Sequence, residues 1–260
     1  MKIEFINNQN VQQIIAKIVK NRFVAVDTEF ESSYSYFPIL ALMQLCIDNK
    51  TVYIIDFANK AELDLAPIKE MLINPAVEKI FHSCKQDIEA IKYKFKVVPK
   101  NISDTQILAE VLKIGKQCGY ATLIEQICNK QIDKTHQYSK WLKRPLTTQQ
   151  IEYAAKDVLF LNTLYRKLVN KLPNVTTIVE YGNKCVKICN EKEYIKNPNK
   201  AWIRFKSKYQ HLFANNDVKQ KIKDRVLHRE MAAMRQNKLP RFIQSDANLI
   251  QEVMSNNAIN

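Results

Sequence analysis

Hydrophobic positions follow two rhythms along this chain. In residues 23–29 (FVAVDTE), 39–47 (ILALMQLCI) and 51–57 (TVYIIDF) they run in short, almost unbroken stretches. Runs of that length, rich in β-branched and aromatic residues, predict buried strands. Asp48-Asn49-Lys50 between the second and third suits a hairpin turn. A helix is expected over Asp64–Ile73 and a further strand over 78–82 (EKIFH). The spacing then becomes helical. Three segments place Ser or Thr three residues before Gln, the capping-box signature of a helix start: Ser83–Gln86, Ser103–Gln106 and Thr147–Gln150. The third adds Leu146 and Ile151 at the positions of a hydrophobic staple, and Pro145 limits any helix before it. One long helix is expected from Thr148 towards Leu172, stopped by Pro173.

Beyond residue 175 no strand pattern recurs. Helices are expected over about Val175–Ile195, Ala201–Phe213, Val218–Gln236 and Asp246–Met254. Antiparallel strands followed by strand–helix alternation imply an α/β fold, a mixed sheet flanked by helices, with a small all-helical C-terminal domain after it. Asn197-Pro198-Asn199 is the best boundary. The reading is a first domain over 1–172, a helical connector over 173–199 and a helical domain over 200–260.

Composition narrows the classes. The 260 residues are 46% hydrophobic, enough for a substantial core. No apolar run approaches the roughly 18 residues that span a bilayer. The N-terminus interleaves polar and apolar residues, unlike a signal peptide, so the expectation is a cytoplasmic protein with no membrane partner. Forty Lys and Arg stand against 26 Asp and Glu, a net charge of +14. Residues 196–260 alone hold 13 basic and 5 acidic side chains. Such an excess attracts polyanions, and nucleic acid is the common one. Three glycines are too few for a Walker loop or a dinucleotide-binding turn. Six cysteines without a CxxC pair, and four histidines, give no zinc spacing.

Three separated groups of acids remain. Asp27 and Glu29 end a strongly apolar strand and share one of its faces, because side chains alternate. Two adjacent carboxylates repel unless a cation lies between them. Asp87 falls just past the first turn of the helix expected after Ser83, where the helix dipole favours an acid. Tyr153 and Asp157, four residues apart, share a helix face, with Ala154 and Ala155 between them. Singly, each also fits a solvated strand end, a helix-start acid or a half-buried core aromatic.

In this order the groups resemble the DEDD exonuclease superfamily, in its tyrosine-bearing branch, and more closely the ribonuclease D family. Phe23-Val-Ala-Val-Asp-Thr-Glu-Phe30, Phe81-His-Ser-Cys-Lys-Gln-Asp87 and Trp141-Leu-Lys-Arg-Pro-Leu146 with Tyr153-Ala-Ala-Lys-Asp157 carry the likeness, and Asp104-Thr105-Gln106 fits it. It covers about 3–172 and implies a ribonuclease H-like fold. It further implies that Asp27, Glu29, Asp87 and Asp157 hold two divalent cations, Mg²⁺ or Mn²⁺, with Asp27 bridging both. Tyr153 would orient the attacking water. Phosphodiester hydrolysis needs a nucleophile on one side of phosphorus and stabilisation of the leaving oxygen on the other, and two cations about 3.5–4 Å apart provide both. Hard cations prefer carboxylate oxygens, and a tyrosine with an ordinary pKa of about 10 positions a water better than it deprotonates one.

Around this set, Phe30 is a candidate to stack on a terminal base. Gln44 would meet a sugar or phosphate, or be a buried, satisfied amide. His82 would contact the site or make a structural hydrogen bond. Lys143 and Arg144 would grip the substrate backbone. The implied substrate is the 3′ end of structured RNA, tRNA precursors foremost, and the protein is expected to be a monomer. Trp202-Ile-Arg, Leu227-His-Arg-Glu-Met-Ala-Ala-Met-Arg, Asn237-Lys-Leu-Pro-Arg-Phe-Ile and Ser245-Asp-Ala resemble the start of the helicase-and-RNase-D C-terminal (HRDC) domain, a helical bundle able to bind nucleic acid. The chain stops at Asn260, so that bundle reads as shortened. Two alternatives stand: a DNA exonuclease of the same branch, and a non-catalytic RNA-binding adaptor, which the loss of one acid would signal. All four acids and the tyrosine are present.

Overall fold

A computed structural model describes residues 1–59, 62–132 and 139–255. The chain divides into two compact units, one made of Met1–Glu31 with Ile39–Tyr194, the other of Ser32–Pro38 with the chain from Ile195 onward.

The larger unit begins with β1 (Lys2–Phe5) and α1 (Val11–Asn21). Then come the three expected strands, β2 (Phe23–Glu31), β3 (Ile39–Cys46) and β4 (Thr51–Asp56). The hairpin between β3 and β4 forms at Asp48-Asn49-Lys50. Asn49 takes a left-handed φ of 56°, and the Asp48 carboxylate accepts the N–H groups of Lys50 and Thr51 at 3.0 and 2.8 Å. Next are α2 (Ala66–Ile73), β5 (Glu78–Phe81), α3 (Lys85–Phe95), β6 (Ile102–Asp104), α4 (Thr105–Val111) and α5 (Tyr120–Cys128). α6 (Thr148–Leu159), α7 (Leu161–Val169) and α8 (Val175–Ile188) close the unit.

The six strands form one mixed sheet in the order β1-β4-β3-β2-β5-β6. β3 is antiparallel to both its neighbours, and the other pairs are parallel. Alternation along each strand divides the core in two. Val24, Val26, Met43 and Leu45 face α1, α2 and α3, while Ala25, Leu42, Cys46 and Ile54 face α4 to α8. The expected fold class is therefore observed. Among the described residues no helix is long and apolar enough to cross a membrane.

The smaller unit is built on α9 (Ala201–Lys208), α10 (Asn216–Gln236), α11 (Pro240–Ile243) and α12 (Asp246–Ser255). Its own core joins Ala201, Phe205, Val218, Ile222, Val226, Leu249 and Val253. The C-terminal region is thus helical, as expected.

Three local expectations need correction. Ser83 does not cap α3; it adopts a left-handed φ of 58°, and Cys84 takes the N-cap position. Ser103 does not cap α4; it lies on β6 and donates to Glu78. Both starts are held instead by Asp104, which is almost fully enclosed. One of its oxygens accepts from the N–H of Ser83 at 3.0 Å and caps α4 through Gln106 and Ile107, while the other accepts from Cys84 at 2.9 Å. A carboxylate is a stronger acceptor than a serine hydroxyl, and it reaches α3 from twenty residues away. The Thr147 box forms as expected, with reciprocal bonds to Gln150. The third correction is the helix after it, which breaks at Phe160 into α6 and α7. The break lets buried Asn162 donate to the Cys46 carbonyl at the end of β3.

Asp104→Ala is expected to cost about 3 kcal/mol or more, since it strands several enclosed N–H groups. Thr147→Ala, at an exposed cap, should cost about 1 kcal/mol. Urea midpoints at constant slope check the ranking; equal losses would mean that Asp104 does not clasp the two helix starts.

Candidate active site

The site grows from the point where β2 outruns its neighbour. β2 pairs with β5 as far as Ala25 opposite Ile80, whereas its pairing with β3 continues to Glu31. From Val26 onward one edge of β2 is free of strand pairing, and a register shift between Glu29 and Phe30 bends it there. Such ends of parallel strands are where α/β folds open a crevice.

Asp27 and Glu29 project from β2 towards α6, which presents Asp157. Oxygens of Asp27, Glu29 and Asp157 lie within 4.8 Å of one another. Ala154 and Ala155 are fully buried beneath that helix, small enough to let it close on the sheet. Asp87 arrives from the other face as the third residue of α3 and is buried. The Thr28 hydroxyl donates to it at 2.5 Å. Tyr153, one turn before Asp157, donates its hydroxyl to that carboxylate.

The electrostatics of this group are those of crowded anions. Burial, then the charges of Asp87 and Asp157, hold the Asp27 carboxyl far above its ordinary range. Burial, then Asp27, Asp157 and Asp87, push Glu29 up to about 10. Asp87 rises to about 6 through burial, with the Thr28 hydrogen bond pulling it back. Burial, then Asp157, drive the Tyr153 phenol far above its ordinary value, so it keeps its proton. A cluster of half-buried oxygen donors that resist ionising fits a hard cation, whose charge supplies what the protein withholds.

A cavity of about 350 Å³ opens onto these acids. Asp27, Asp87, Tyr153 and Asp157 line it, together with Phe30, His82, Gln86, Gln106 and Tyr120. Phe30 and His82 thus stand beside the acids. The His82 Nδ1 lies 2.9 Å from the Thr105 hydroxyl, its ring packs on Tyr120, and burial lowers its pKa. Both roles weighed for His82, structural bond and site wall, are met by one side chain. Gln86, Gln106 and Tyr120 were not expected in the site, although the sequence marked Gln86 and Gln106 as capping-box residues. Gln106 follows the Asp104-Thr105 pair already singled out, while nothing near Tyr120 signals its place.

Gln44 and the basic pair require correction. Gln44 pairs with Asp27 across the strands but is fully enclosed, so no sugar or phosphate reaches it. The Arg144 guanidinium is committed to Asp56 through two bonds and to the carbonyls of Trp141 and Lys143. It fastens the loop before α6 to the end of β4, and the Leu142 N–H donating to Glu31 at 2.7 Å fastens the same loop to the end of β2. Trp141, thereby buried, lies 6.0 Å from the Tyr153 ring and supports it. Lys143 is exposed and does not line the cavity.

Comparison with known proteins agrees with this architecture. Ribonuclease D of Acidiphilium cryptum is 40% identical over 190 residues, which is 73% of this chain and 48% of that protein. The chain spans about half the length of the curated relatives it matches. The crystal structure of Escherichia coli RNase D, described as an exoribonuclease involved in structured RNA processing, superposes with a TM-score of 0.84 at 25% identity, covering 97% of this chain and 66% of that one. The catalytic core of RRP6 from Trypanosoma brucei shares the fold, with a TM-score of 0.75 at 19% identity over 97% of this chain and 70% of its own. The model of the 3′-5′ exonuclease family matches residues 4–173, the span that contributes every acid of the site, and the chain belongs to that family.

Proposed function

We propose that this protein is a metal-dependent exoribonuclease that shortens RNA from its 3′ end, and that the extended 3′ ends of tRNA precursors and other structured RNAs are its substrates. The observation that supports this most is the cluster of Asp27, Glu29 and Asp157 oxygens, with Asp87 and Tyr153 lining the same cavity as Asp27 and Asp157. Membership of the family supplies the polarity of attack, and the ribonuclease D relatives favour RNA over DNA. The six cysteines are free, which suits the reducing cytoplasm, where we place the protein. We also assign the C-terminal helices to an HRDC-like bundle, on the motifs quoted above.

In this reading Asp27, Glu29, Asp87 and Asp157 hold two divalent cations, Mg²⁺ or Mn²⁺. Bound there, the pair would supply a hydroxide-like nucleophile and stabilise the departing 3′ oxygen. Water adds to phosphorus, the P–O3′ bond breaks, and a nucleoside 5′-monophosphate leaves a chain with a new 3′ hydroxyl. Tyr153, protonated and anchored on Asp157, orients the water by hydrogen bonding and does not take its proton. Phe30 offers a ring face to the terminal base.

The direct test is a time course with Mn²⁺ on 3′-extended tRNA and on single-stranded DNA of equal length, with Asp27→Asn protein and EDTA as blanks. Stepwise 3′ shortening of the RNA, absent from both blanks, is expected. Equal loss of DNA would replace the RNA assignment with a nonspecific one. Binding without cleavage would make the protein an adaptor.

Two further outcomes follow from the site. Asp157→Ala should lower kcat by about 100-fold or more, as loss of a metal-site group does, and Tyr153→Phe should lower kcat with KM nearly unchanged. A near-normal rate in Asp157→Ala would remove that residue from the site.

The raised carboxyl groups also set a pH dependence. In the unfolded chain these groups ionise near 4, whereas in the folded protein Asp87 and Glu29 hold protons up to about 6 and about 10. Across that window the folded state binds more protons, so metal-free stability must fall as pH rises. In EDTA the melting temperature should be lower at pH 8 than at pH 5, and Glu29→Gln should flatten the difference. Mn²⁺ should raise the melting temperature more at pH 8, where protons compete less. A Glu29→Gln protein with an unchanged slope would show that the cluster does not set it.

A further inference from the structure

The smaller unit exposes aromatic rings in an arrangement that its folding does not require. Tyr34 and Phe242 lie nearly parallel, at an interplanar angle of 19° with ring centroids 6.3 Å apart. Yet Tyr34 is 73% and Phe242 52% exposed, and neither belongs to the unit's core. Rings so placed leave apolar faces in water, a cost that a folded domain otherwise avoids by burying them. The Arg241 guanidinium stands 5.1 Å from the Phe242 centroid and gives the stack a positive charge.

The elements that present these rings are fixed. Tyr34 lies in the 32–38 loop, where the Tyr36 hydroxyl donates to Glu230 at 2.6 Å. The Phe37 N–H donates to the Asn237 side chain at 2.7 Å, and Lys196 donates to the Tyr36 carbonyl at 3.1 Å. Phe242 lies on α11. The same two elements border a cavity of about 870 Å³, through Ser35 and Tyr36 on one side and Leu239 and Pro240 on the other. Lys196, Lys200, Arg204 and Lys208, spaced four apart, contribute to its wall, which holds five cations to two acids. A ring stack next to a cationic cleft matches what a single strand of nucleic acid offers: flat bases on a phosphate backbone.

We propose that Tyr34, Phe242 and Arg241 form a stacking platform for one unpaired base of the RNA, whose phosphates lie along the Lys196–Lys208 cleft. The proposal rests on the exoribonuclease reading and adds a second point of attachment for the RNA. Tyr34 follows Glu29 by five residues in the chain, so one connection carries both the catalytic strand and the platform.

The experiment uses full-length Asp157→Asn protein and RNAs with a single-stranded 3′ extension, each carrying one abasic residue at a different place. Fluorescence anisotropy gives Kd at fixed salt. Phe242→Ala should weaken binding of intact RNA by about tenfold, the size of one lost stack. One abasic position should weaken binding of the parent protein to a similar degree while leaving Phe242→Ala unaffected there. Phe242→Tyr should bind like the parent, and Phe242→Leu like Phe242→Ala, because apolar bulk without a ring face does not stack. Full binding by Phe242→Leu, or equal effects of every abasic position on both proteins, would overturn the platform. Wild-type protein with Mn²⁺ is run on the same RNAs. Shortening there with no Phe242 effect refutes the platform alone, whereas absence of shortening refutes the exoribonuclease reading.

Discussion

Crowding of half-buried carboxylates, which lose water first and repel one another second, is the constraint on which the rest of the larger unit depends. Asp27, Glu29 and Asp157 are brought together by two elements that would each be more stable without them. The raised pKa values of Asp27 and Glu29, set first by burial and then by the neighbouring acids, record the cost. Only a rigid surround keeps such groups close, and the surround is visible. β2 is locked to β3 along its length. α6 lies on β2, β3 and β4 over small buried alanines, and its first turn is fixed by a complete capping box. A cation turns the same repulsion into binding energy, because each oxygen that resists ionising beside its neighbours ionises readily beside a divalent charge.

Helix placement around the acids is set by long-range polar anchors. Asp104 ties the start of α3, and so Asp87, to the start of α4. Tyr181 of α8 accepts the Asp104 N–H at 3.0 Å, so that helix joins the clasp. Arg144 and Glu31 hold the loop before α6 at the ends of β4 and β2. These contacts do no chemistry. They fix three acid-bearing elements relative to one another, and metal sites tolerate little displacement of their ligands.

How far the sequence could be read depended on where its signals were local. The strands β2, β3 and β4 were legible because each is a dense apolar run bounded by polar residues. The Thr147 cap was legible because both partners lie within four residues. The same pattern at Ser83 and Ser103 misled, since Asp104 lies twenty-one residues from the first and adjacent to the second, and a carboxylate displaces a hydroxyl. β6 went unnamed, being three residues long, too short for alternation to register, and β1 went unnamed because its two polar and two apolar residues form no apolar run. The acids and Tyr153 stood out by resemblance, while Tyr120 reaches the cavity from a helix with no local mark. Gln44 and Arg144 looked functional because polar residues in apolar or basic surroundings do; the fold uses one as an enclosed amide and the other as a fastener.

The distribution of charge separates chemistry from attraction. Of the described residues lining the cavity at the acids, none is Lys or Arg, and three are Asp. A polyanion approaching that cavity meets no cationic side chain among those residues. Its attraction must come from elsewhere, and the sequence puts the excess after residue 195, with 13 basic against 5 acidic side chains. Fields of that kind act over about 8 Å at physiological salt, so they concentrate the ligand without selecting its sequence. On the stacking proposal, selection of unpaired over paired strands then falls to ring faces, which a base inside a duplex cannot reach. On the proposed reading, the smaller unit holds the RNA and chooses the single strand, leaving the acids to act on whatever 3′ end is delivered.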